Sequence, residues 1–172
     1  VCGGILNLSE ARGGLKPKYG EGLLNAVSAG FFFILVGILF MITPDLLDKI
    51  IAFFKDFGMV NVPNTNIFVP APANPWRHLT VYAAAAQFSL VWGIFEIFIL
   101  ALRFFIHSSL SRKAETTSSI VFWLGASYVI GIFLNKTAKL TQWFVFWSAI
   151  LMLIGFTLIL RAAILAAVKI KQ

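Results

Sequence analysis

The sequence predicts an all-α, polytopic integral membrane protein with four transmembrane helices and one interfacial amphipathic helix. Two observations carry that reading. Of 172 residues, 59% are hydrophobic and only 12% charged, with a mean hydropathy of +0.88, which is about half the charge a soluble domain uses to dress its surface. The apolar residues also run continuously in four stretches, each near the ~20 residues that cross a ~30 Å hydrocarbon core as a helix. None shows the alternation of inward polar and outward apolar residues that a barrel strand requires.

A cytoplasmic N-terminal segment is expected over 1–21, with Arg12, Lys16 and Lys18, followed by a four-helix membrane domain over 22–168. The first span covers about 22–43 and is closed by Pro44-Asp45. Its apolar run exceeds a signal core and lacks a small-residue cleavage pattern, so it reads as an uncleaved span. The second covers 79–102, after Pro75-Trp76-Arg77-His78 and before Arg103; the third, and shortest, covers 117–134. The fourth covers 142–168 and leads into a basic tail, 169–172, with Lys169 and Lys171.

The outer connection, 44–78, is the least generic segment. Leu46, Leu47, Ile50, Ile51, Phe53, Phe54 and Phe57 fall at helical spacing between Asp45, Asp48, Lys49, Lys55 and Asp56. A segment this short and this charged lies along the interface rather than spanning it. Gly58 should end it, and the proline-rich stretch up to Trp76, with Pro70-Ala-Pro-Ala-Asn-Pro75, reads as an extended surface strap.

Four spans put both termini on one side. Lys and Arg flanking the spans number eight on that side and five on the other, leaving out Arg161 inside a span, so both termini are expected in the cytoplasm of a cell membrane. Trp76, Trp143 and Trp147 gather at the opposite ends of their helices and suit an interfacial aromatic belt. The net charge of +7 sits at helix ends, where it meets anionic lipid, and forms no separate basic stripe for nucleic acid. A single cysteine, Cys2, permits no intrachain disulfide.

Within the spans the ionisable residues are Glu96 and Arg161. Glu96 lies about 10 Å and Arg161 about 12 Å from the same membrane face at 1.5 Å per residue. Since a lone charge at that depth is costly, an ion pair between them, or a transport site, is the expectation. Small residues let helices approach where lipid gives no hydrophobic drive. Ala86, Ser89 and Gly93 share a stripe with Glu96, and Gly30, Gly37, Gly131 and Gly155 mark comparable packing faces on the other spans.

Enzymatic constellations are missing. His78 and His107 stand at opposite ends of the second span, about 43 Å apart along a helix, and cannot share a metal or a haem. The chain shows no phosphate loop, zinc-binding helix, paired cysteines or nucleophile with an adjacent base, so neither metal nor cofactor is expected. Asn135-Lys-Thr137 is a glycosylation sequon. The order of a span, a short amphipathic segment, a glutamate-bearing span and two further spans resembles that of DoxX-type four-helix proteins; no motif residue carries a site across. Two functional readings follow. One is a non-catalytic, accessory helix-bundle subunit that packs against itself or other membrane proteins. The alternative is a small homo-oligomeric channel or transporter for an ion or small solute, using Glu96 and Arg161.

Overall fold

The structure is a computed structural model that describes residues 17–63, 65–135 and 138–169, with side chains described for 20–63, 65–135 and 138–167. The expectations for Cys2, Arg12, Lys16, Lys136, Thr137 and Lys171 lie outside those residues. The described chain folds into α1 (Pro17–Ile42), α2 (Leu46–Lys55), β1 (Phe57–Asn61), β2 (Phe68–Pro72), a 3-10 turn (Pro75–His78), α3 (Leu79–Phe105), α4 (Leu110–Phe133) and α5 (Leu140–Lys169). Helices α1, α3, α4 and α5 are long and apolar enough to cross a membrane. The chain is therefore an all-α integral membrane protein.

Helix α4 begins at Leu110, ahead of its apolar run. A hydropathy run reports the part of a helix that suits lipid, and the polar turn before it is still helical. There Arg112 pairs with Glu115 at 3.5 Å, and Thr116 and Thr117 return their hydroxyls to the carbonyls of Arg112 and Lys113. The reversal between α3 and α4 is short because His107 takes φ 54°, in the left-handed region. Asp45, with φ 56°, turns the chain from α1 into α2 in the same way, a conformation that a short polar side chain tolerates.

The segment between α2 and α3 is a strand pair rather than a single strap. Strands β1 and β2 pair antiparallel, from Phe57 opposite Pro72 to Asn61 opposite Phe68. Pro70 and Pro72 are two residues apart, so their nitrogens face the same edge of β2, and a two-stranded sheet leaves one edge free of partners. The hairpin rests on the helix ends. Ala71 is buried with Tyr82, Ile130, Leu134, Trp143 and Phe146, and Phe53 of α2 packs against the same cluster. Trp143 therefore departs from the expected belt. It is only 5% exposed and faces Phe53 and Tyr82 at centroid distances of 6.0 and 5.9 Å, whereas Trp76 and Trp147 are exposed.

Helix α4 lies between α3 and α5, and α1 packs chiefly on α3. At the α3–α4 seam the backbones come close. A Cβ added to Gly93 would sit 2.7 Å from Leu124 Cδ2, and Ser127 Oγ donates to the Ala86 carbonyl at 2.9 Å. Ser89 is buried in the same face, so Ala86, Ser89 and Gly93 do meet a neighbouring helix. The other named glycines do not: a Cβ on Gly30, Gly37, Gly131 or Gly155 would meet no atom within 4 Å. Aromatic rings hold α1 off α3 instead, with Phe31 stacked on Phe95 at 3.9 Å and Phe32 edge-on to Phe88 and Trp92 at 5.9 and 5.8 Å. Between α4 and α5 the close approach is at Gly125, whose added Cβ would lie 2.7 Å from Leu153 Cδ1.

Candidate functional site

Two polar centres stand out, one in the α3–α4 seam and one where α2 meets the start of α3. In the seam, Glu96 Oε1 accepts hydrogen bonds from Trp92 Nε1 at 3.2 Å and Ser119 Oγ at 2.8 Å. Trp92 is one turn before Glu96 on α3, and Ser119 comes from α4. The second carboxylate oxygen is buried and has no hydrogen-bond partner among the described residues. About two turns of α3 beyond it, Arg103 is 8% exposed and donates from Nη1 to the Arg112 carbonyl at 2.7 Å, tying the end of α3 to the start of α4.

The structure does not bring Glu96 and Arg161 together. Arg161 is exposed on α5 and forms no ion pair among the described residues. The depth argument fixes one coordinate only. Helix α4 packs against both α3 and α5 and supplies Glu96 with Ser119 as a partner, so matching heights do not make two charges neighbours. Arg103, which lies on the same polar stripe of α3 as Glu96, is a buried cation of the seam.

The second centre was not anticipated as a site. Asp56, just past α2, gathers three donors: the Asn74 backbone N–H at 2.7 Å and His78 Nε2 at 3.0 Å on Oδ2, and the Asn74 side-chain amide at 3.0 Å on Oδ1. Burial pushes the Asp56 carboxyl up, but those hydrogen bonds from Asn74 and His78, with the imidazole's charge, outweigh it and hold the group below its ordinary range. An ionised Asp56 requires His78 to carry its proton on Nε2. His78 is 7% exposed, with Phe53 edge-on to its ring at 5.3 Å, so it is a buried pin that joins α2, the hairpin and α3.

Beside this pin opens a cleft of about 430 Å³, lined by Lys49, Ala52, Lys55, Asp56, Arg77, His78, Thr80 and Val81. Lys49 Nζ donates to the Pro44 carbonyl at 2.9 Å; Lys55 and Arg77 are exposed and make no ion pair among the described residues. Asp56–His78 is a carboxylate–imidazole pair, but no hydroxyl or thiol among the described residues is hydrogen-bonded to the ring, so the pair lacks the nucleophile of an acyl-transfer triad. No group of three His, Cys, Asp or Glu side chains among the described residues could hold a metal ion. His107, at the far end of α3, bonds through Nδ1 to the Phe105 carbonyl at 3.1 Å. The signal for the Asp56 knot was present in the sequence as an Asx-rich stretch before a helix, but no spacing rule joins residues 22 apart across a hairpin.

Compared with protein-family models, curated proteins and solved structures, the chain matches none.

Proposed function

We propose that the protein is a non-catalytic, accessory helix-bundle subunit of a larger membrane assembly, seated in the cell membrane with both termini in the cytoplasm. The observation that carries this reading is Arg161. It lies in an apolar spanning helix, is exposed on the outside of the monomer, and has no ion-pair partner among the described residues. A guanidinium facing lipid at that depth is costly, and a carboxylate or carbonyl from another subunit, or from a second copy, would relieve the cost. Gly30, Gly37, Gly131 and Gly155 lie open on the exterior, where small residues favour contact between helices of different chains. The excess of Lys and Arg at the termini and the α3–α4 turn supports the orientation.

Purification from native membranes in a mild detergent tests the reading. A stable stoichiometric partner, or a defined homo-oligomer, is expected for the wild-type chain, and Arg161→Gln should release it while leaving the monomer folded. A monodisperse monomer in both cases would overturn the proposal. A second reading, a homo-oligomeric channel or transporter, is favoured by one feature, the unpartnered Glu96 Oε2 in the seam. Ion or solute flux in liposomes that is abolished by Glu96→Gln would establish it.

A further inference from the structure

The basic cleft has an apolar continuation. On the other side of Val81 lies a groove of about 350 Å³ between α1, α2 and α3, walled by Leu39, Phe40, Ile50, Ala85 and Phe88, and Val81 lines both spaces. Val81, Ala85 and Phe88 follow at steps of four and three on α3, so the apolar floor descends about 10 Å along the helix away from the cleft. The cleft itself sets three cations, Lys49, Lys55 and Arg77, against one carboxylate, Asp56. That carboxylate is already occupied by Asn74 and His78. Thr80 and Val81, in the first turn of α3, complete the lining.

A cationic pocket at the entrance to a spanning helix, sharing Val81 with an apolar groove that runs along it, matches the form of an amphiphile. We propose that this composite site binds one anionic phospholipid, with the phosphate among Lys49, Lys55 and Arg77 and an acyl chain along Val81, Ala85 and Phe88. Arg77 offers the planar fork that suits phosphate oxygens, and the lysines add point charges. A detached phosphate would use the cleft but gain nothing from the groove, which is why the lipid is the assigned ligand.

The test uses the full chain in nanodiscs of phosphatidylcholine and phosphatidylglycerol in equal amounts, released and weighed by native mass spectrometry. One phosphatidylglycerol should be retained per chain. Lys55→Gln combined with Arg77→Gln, both exposed positions, should reduce retention on the order of tenfold. Ala85→Phe, which fills the groove, should reduce it as well, and Lys139→Gln, a basic residue outside the cleft, should not. Circular-dichroism melting of each variant confirms that the fold is kept. Equal retention of the two lipids by the wild-type chain, or undiminished retention in the double variant, would overturn the proposal. So would displacement of the lipid by inorganic phosphate together with indifference to Ala85→Phe, which would assign the cleft to a soluble phosphate.

Discussion

Asp56 shows how one side chain can fix the join between three elements. Its folded-state acidity is stronger than the ordinary value of 3.8. Its contribution to stability is therefore complete above that value and is lost as pH falls through the lower, folded value. Unfolding in detergent followed from neutral pH into acid should show a downward slope below about pH 4 that Asp56→Asn flattens. Asp56→Ala should cost about 1–3 kcal/mol at neutral pH, because the buried His78 N–H loses its acceptor, and the melting temperature would report it. The inward placement of Glu96 was legible from its small-residue stripe. Its partners, Trp92 and Ser119, were not, because the sequence gives no angle between α3 and α4. Glu96→Gln should keep the fold, since an amide can still accept both hydrogen bonds through its oxygen; a large loss of melting temperature in that variant would show that the charge itself holds the seam.

At the scale of elements, periodicity identified α2, and composition identified the four spans, because lipid demands long unbroken apolar helices. The glycine faces were less legible. Small residues are needed wherever two backbones approach, but they are also tolerated where nothing approaches, and the bulk of Phe31 and Phe32 decides which case applies to α1. Gly93→Ala should destabilise the bundle by about 1–3 kcal/mol, since the new methyl meets both the side chain and the backbone nitrogen of Leu124. Gly131→Ala, in open space, should cost nothing in the monomer. Comparing the two melting temperatures checks the seam. For α2, spin labels along 46–55 should alternate between lipid-soluble and water-soluble quenchers with a period near 3.6, with Leu46 and Ile50 on the protected face; a uniformly water-exposed profile would detach α2 from the membrane surface.

For the whole molecule, the even number of spans ties the α3–α4 turn to the side of the termini, and the hairpin and the α4–α5 turn to the other. In a Cys2→Ser background, an impermeant thiol reagent applied to intact cells should label Lys139→Cys and leave Ser109→Cys untouched. The reverse pattern would invert the orientation and keep the fold. The orientation is an expectation from the basic residues that this labelling tests; the neighbour order of the helices could not be read from composition at all, and in it α4 packs against both α3 and α5.

Helix α1 meets the rest through stacked and edge-on rings and through Leu39, packed with Leu46 and Ala84, whereas the α3 and α4 backbones approach closely at Gly93 and at Ala86. Under mechanical load these seams differ in kind. Pulled from the N terminus by a cantilever, α1 should peel away in an early, low-force event, its rings separating in sequence, and α3 and α4 should resist together and leave as one unit. The expected trace is therefore that of a three-helix block with a more weakly held first helix.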